Sequence, residues 1–187
     1  MGKIRYPEPV KLIAGMLFAE EDIFTIVKNR LINKYGEIDF ESPLFPFYYT
    51  DYYFKEMGGK LWRKFVSFKN LIDPEKLPEV KIFTNKLESE FLQPGSSRRR
   101  INIDPGYIDL SKLVLATTKN FSHRIYIGRG IYAEVTLRYL KNSGFHPWEW
   151  TYPDYRSKDY LGVFNLIREK YYQQIKIKDR KNEKKCH

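Results

Sequence analysis

The run Val10 to Phe18 is apolar except for Lys11, with Gly15 inside it, and predicts a buried strand. Glu20-Glu21-Asp22 follow, acids suited to the positive end of a helix dipole. Ile23, Ile26, Val27, Leu31 and Ile32 then repeat at helical spacing, and Gly36 caps the helix. Glu37 to Tyr53 reads as extended and aromatic, because Pro43 and Pro46 exclude a regular helix. Leu61 to Ile72 predicts a strand, with Leu61, Phe65 and Leu71 apolar and Arg63, Lys64, Lys69 and Asn70 polar. Val80, Phe83, Leu87 and Phe91 have helical spacing. Ile101, Ile103 and Ile108 predict another strand, bent at Pro105-Gly106, since Pro-Gly suits the centre of a type II turn. Val114 to Tyr139 adds strands, including a hairpin turned at Gly128-Arg129-Gly130. Leu161, Phe164, Ile167 and Tyr171 mark a last amphipathic helix over Asp159 to Gln174.

Strand, helix, strand, strand, helix, strand is the order expected over the first hundred residues. That is the split βαβ pattern. The fold class predicted is α+β: a ferredoxin-like first half, extended by additional antiparallel strands and a C-terminal helix. Residues 1–175 are expected to form a single domain and 176–187 a basic, disordered tail.

Length and composition narrow this picture. The chain has 187 residues and 42% hydrophobic content, which is globular composition with enough chain for a sizeable core. No run of about 18 apolar residues is present, so no membrane partner is expected. The start lacks the apolar core of a secretory signal, and the expected location is cytoplasmic. The only cysteine is Cys186, which excludes an internal disulfide and a cysteine-based zinc site. Net charge is +10; Lys176 to His187 hold six Lys/Arg and two acids, leaving +6 on the body. A basic surface favours polyanions, and it is equally the signature of a merely soluble or thermophilic protein.

The densest chemistry lies between Thr117 and Tyr139. Gly128-Arg129-Gly130 is either an ordinary hairpin turn or a nest of N–H groups with a guanidinium for a phosphate. Thr117, Thr118, Lys119, His123 and Arg124 lie close enough in sequence to converge on the same anion. His123 has the near-neutral intrinsic pKa that suits general acid–base work, and Asp104 or Glu134 would assist it. Glu134 shares a strand face with Arg138, so an ion pair is its plainer reading. Two aromatic clusters, Tyr48 to Tyr53 and Trp148 to Tyr155, could fill a core or stack a base. Candidate pocket or base-stacking residues are Asp51, Tyr52, Tyr107 and Tyr152. Magnesium on Asp51, Asp104 or Glu134 leaves no sequence signature; nothing points to zinc or haem. Thr84-Asn85-Lys86-Leu87-Glu88 resembles a guanine-reading motif, but no phosphate-cradling Gly-x-x-x-x-Gly-Lys-Ser/Thr loop accompanies it.

Several long motifs occur together and in order. They include Glu41-Ser42-Pro43, Thr50-Asp51-Tyr52-Tyr53, Asn102-Ile103-Asp104-Pro105-Gly106-Tyr107, Ser122-His123-Arg124-Ile125-Tyr126, Gly128-Arg129-Gly130-Ile131-Tyr132-Ala133-Glu134 and Trp150-Thr151-Tyr152-Pro153-Asp154-Tyr155-Arg156. On these motifs the chain resembles the domain of unknown function 4416 (DUF4416) family over nearly its whole length up to the last helix. The resemblance implies a small prokaryotic protein and brings no established activity or catalytic residues. The function expected from the residues is binding of a phosphate-containing ligand, a nucleotide or RNA. The alternatives are an enzyme acting on a phosphate ester or nucleotide through a His/carboxylate pair, and a non-catalytic structural or protein-interaction domain.

Overall fold

The computed structural model describes residues 2–183, with side chains through Lys178. In chain order the elements are β1 (Val10–Phe18), α1 (Glu21–Tyr35), β2 (Ile38–Glu41), β3 (Phe45–Phe47), α2 (Asp51–Met57), β4 (Leu61–Ile72), α3 (Leu77–Ser89), β5 (Ile101–Ile108), β6 (Lys112–Thr117), β7 (Ile125–Gly128), β8 (Ile131–Leu140), β9 (Gly144–Pro147) and α4 (Lys158–Glu183). Short 3₁₀ turns occupy Pro74–Lys76 and Asp154–Arg156. The fold is mixed α+β. Its nine described strands form one open sheet in the order β2-β4-β1-β5-β6-β8-β7, with β3 added to β4 and β9 to β8. Every pairing is antiparallel.

Side-chain alternation explains the layering. On β1, Leu12, Ala14, Met16 and Phe18 point to one face, where α1 packs Ile23, Phe24, Val27 and Leu31 and α3 packs Val80 and Leu87. Ile13 points to the other face, where α4 packs Tyr160, Val163, Phe164 and Ile167. Strand β1 is covered on both sides, so all nine of its residues are buried. That is why it reads as a continuous apolar run rather than an alternation. Lys11, which interrupts the run, is fully buried; it is ion-paired with Asp39 and donates to Gln174 Oε1 at 2.6 Å. Burial lowers its pKa, and Asp39 only partly offsets that.

The structure corrects several expectations. The aromatic stretch before β4 is not uniformly extended: it contains β2, β3 and the short helix α2. Thr50 caps α2 by accepting from the Tyr52 N–H. Pro105-Gly106 makes no turn and lies inside β5. The basic segment beyond residue 175 is helical as far as Glu183; residues 184–187 lie outside the described residues. The hairpin at Gly128-Arg129-Gly130 is present between β7 and β8, with Arg129 and Gly130 at φ 57° and 77°.

One irregularity of the sheet positions everything that follows. Strands β5 and β6 pair only over Gly106–Ile108 and Leu113–Leu115. Before Gly106, β5 has no strand beside it on that side, while β6 continues along β8. A buried backbone edge must still be hydrogen-bonded. Helix α3 supplies the partners: Glu88 Oε1 accepts from the Ile103 N–H at 2.6 Å, and Lys81 Nζ donates to the Ile103 carbonyl at 3.0 Å. Pro105 is two residues on, so its missing N–H falls on the same strandless side and costs no ladder bond. Gly106 marks the point where the strands meet. A Cβ there would sit 2.2 Å from the Val114 carbonyl oxygen.

Candidate functional site

The seam between β5 and β6 opens into a cleft of about 570 Å³. Lys81, Asn85 and Glu88 line it from α3 at i, i+4 and i+7, one stripe of that helix. Asn102 and Asp104 line it from β5, Thr117, Thr118 and Lys119 from the end of β6, and Tyr52 and Tyr53 from α2. Tyr152, Asp154 and Tyr155 close it from the segment before α4. Charged side chains in the lining are Arg63, Lys81, Arg99, Lys119 and Arg124 against Glu88, Asp104, Glu134 and Asp154. Most of these are spent on one another.

Arg63 is 2% exposed and sits at the floor. Its Nη1 donates to Asp104 Oδ2 at 2.7 Å and its Nη2 to Asp154 Oδ2 at 3.4 Å. Burial alone would raise the Asp104 pKa, but the charges of Arg63 and Lys81 outweigh it and hold this carboxyl below its ordinary value. Asp154 goes the other way. Burial pushes it up and repulsion from Asp104 adds to that, against the pull of Arg63. Arg99 grips Glu56 of α2 with two bonds, at 2.6 and 2.8 Å, and also reaches Glu88 and Asn102 Oδ1. Burial raises the Glu88 pKa despite the nearby charges of Lys81 and Arg99.

At the mouth, Glu134 is buried and accepts from Arg124 Nε at 3.0 Å, shares its Oε2 with His123 Nε2 at 3.1 Å, and accepts from Thr136 Oγ1 at 3.3 Å. Arg124 also donates to the Lys119 carbonyl and the Tyr152 hydroxyl. His123 stacks on Trp150, Trp150 on Trp148, and Arg138 lies over Trp148, so each indole already has two stacking partners. Lys119 is exposed, its ammonium 5.5 Å from the Tyr52 ring centre. No ion-pair partner for it occurs among the described residues.

The structure therefore brings together Asp104, Glu134, Thr118, Lys119, Arg124, Tyr52 and Tyr152 around one cleft. Other candidates fall elsewhere. His123 does not line the cleft and stands behind Glu134, so it forms no pair with Asp104 there. Arg129 faces Glu79 at 3.5 Å across a different groove, so Gly128-Arg129-Gly130 does not join Lys119 and Arg124 on one anion. Tyr107 packs against the cluster of Leu77, Val114, Ala116 and Ile131. Asp51 is exposed at the first turn of α2. Sequence reasoning missed Arg63, Lys81, Glu88, Arg99 and Asp154. A signal existed for Arg63, which shares strand parity with the apolar Leu61 and Phe65. Among the described residues no three His, Cys, Asp or Glu side chains converge as metal ligands. No described helix is long and apolar enough to cross a membrane.

No curated protein and no solved structure matches the chain. The family model for a domain of unknown function, DUF4416, matches residues 8–171, and that span contains every strand and every cleft residue described above. The chain thus belongs to the DUF4416 family.

Proposed function

We propose that the cleft binds a nucleotide, with the phosphate in the seam and the base against the tyrosines at the mouth. The observation that carries this reading is the spare donor capacity of the seam. Lys81 is buried, and of its three N–H groups one is used, on the Ile103 carbonyl. Asn102 Nδ2, also buried, makes no hydrogen bond of ordinary geometry among the described residues and lies close to the Asp104 carboxylate. Donors left over in a buried site favour an oxyanion. The volume of about 570 Å³ suits a small ligand. Tyr52 and Tyr152 are half-exposed at the mouth, where a ring can lie, and Lys119, without an ion-pair partner among the described residues, adds a charge beside Tyr52.

The test is a thermal-shift titration with the four ribonucleoside 5′-monophosphates at low salt. A ligand at 100 times its Kd stabilises by about 2.7 kcal/mol, or about 5–10 °C in Tm for a chain of this size. Lys119→Ala and Tyr52→Ala change exposed side chains, and both should weaken the shift without lowering the unliganded Tm. No shift with any nucleotide, or a shift that neither variant weakens, removes the reading.

A further inference from the structure

Two carboxylates share one guanidinium on the cleft floor, and they are not equivalent. Asp104 is 26% exposed and holds Arg63 at 2.7 Å; Asp154 is 8% exposed and holds it at 3.4 Å. Lys81 adds its charge to that of Arg63 at Asp104, so Asp154, with the weaker contact and the smaller exposure, is the carboxyl that more readily takes a proton. The opposite pKa directions of the two groups agree with this. Around the pair, Arg63 Nε, Asn102 Nδ2 and the Tyr155 hydroxyl are almost fully buried and make no hydrogen bond of ordinary geometry among the described residues, although Asn102 lies close to Asp104 and Arg63 to Tyr160. Arg63, Asn102 and Tyr155 all line the cleft. Each unmet buried donor costs about 1–3 kcal/mol, a penalty that an oxyanion drawn into the cleft would relieve.

We propose that Asp154 is the general acid, and Asp104 the proton acceptor, of a hydrolase that cleaves the phosphate monoester of a nucleotide held in this cleft. The assignment rests on the nucleotide reading above. In the step, the oxygen of a solvent water forms a bond to phosphorus as the bond from phosphorus to the ester oxygen breaks. The departing oxygen takes its proton from Asp154 and leaves as an alcohol. One proton of the water passes to Asp104; the other stays on the phosphate. Asp104 then gives its proton to solvent and Asp154 takes one back, which restores the starting state. Lys81 offers its remaining N–H groups to the charge that builds on the phosphate oxygens. His123 has no part in the transfer; it holds Glu134 from behind.

The experiment pairs two leaving groups. Phosphate release is measured from the four ribonucleoside 5′-monophosphates and from p-nitrophenyl phosphate, on the full chain and on Asp154→Asn and Asp154→Glu. Nitrophenolate leaves without a proton, whereas a ribose oxygen needs one. Asp154→Asn should therefore lower the rate on the nucleotide by about 10²–10⁴-fold. The loss on the nitrophenyl ester should be at least about tenfold smaller, and Asp154→Glu should recover part of the nucleotide rate. Equal losses on both esters would make Asp154 a positioning residue and overturn the proposal. A nucleotide that raises the Tm but is not hydrolysed would overturn it while leaving the binding reading standing. Absence of any Tm shift would overturn both.

Discussion

Replacing Arg63 by Met leaves Asp104 and Asp154 side by side on the floor with no shared cation. Removing one partner of a buried ion pair costs about 3–5 kcal/mol, because the charge left behind is neither solvated nor neutralised. Arg63 is 2% exposed and the ionised carboxyl it leaves behind is Asp104, so a cost in that range applies at neutral pH. The corresponding fall in Tm is about 6–20 °C. The loss should depend on pH, with a sign fixed by the shifts. In the native chain the Asp104 pKa is lowered. Its stabilising contribution is therefore present above the ordinary carboxylate value, about 3.9, and is lost as pH falls through the lowered one. In Arg63→Met that lowering goes and burial remains, so both carboxyls favour protonation. The gap between the two proteins should be widest at neutral pH and narrow below about pH 4. Urea unfolding at pH 7 and in acid measures both points. The double variant Arg63→Met/Asp104→Asn should recover part of the loss. A cost below about 1 kcal/mol at pH 7, or a cost that does not shrink in acid, would refute the argument.

Gly106→Ala should lower the Tm by the equivalent of about 1–3 kcal/mol or more, since its methyl would meet a backbone oxygen at 2.2 Å that cannot rotate away. An unchanged melting curve would mean that the seam is softer than its geometry indicates. Arg99→Lys should loosen α2, because a single ammonium cannot reproduce the two-pronged hold on Glu56. Limited proteolysis reads this directly: cleavage around Gly58-Gly59 should quicken, and equal rates in the two proteins would contradict it.

The sequence was most informative where one rule acted alone. Strand β1 and helices α1, α3 and α4 were legible because burial on one or two faces imposes a period, and nothing local opposes it. Helix α2 was hidden by its aromatic composition, although Thr50 and Asp51 at its start and Gly58 at its end are ordinary helix signals. Pro105-Gly106 misled for a physical reason. A proline is tolerated in a strand whose neighbour is absent, and that absence depends on where β6 diverges, a tertiary fact. The site divided along the same line. Lys119, Arg124, Glu134, Tyr52, Tyr152 and Asp104 were visible as polar chemistry beside turns and strands. Lys81 and Glu88 were not, because polar residues on the inner stripe of a helix make sense only once the missing strand is known. Arg129 pointed the wrong way because closeness in sequence says nothing about which edge of a hairpin tip faces the cleft.

The short pairing of β5 with β6 makes the sheet resemble two covers joined at a spine. One cover carries β2, β4, β1 and β5; the other carries β6, β8, β7 and β9. Only Gly106–Ile108 and Leu113–Leu115 bind them strand to strand, and α4 lies across the back against β1, β5 and β9. The cleft is the gap between the pages. A ligand bridging Lys81 or Asn102 on one side and Thr118 or Lys119 on the other would act as a staple. Its occupancy would then be felt well beyond the pocket, as slower amide exchange along both strands that border the gap.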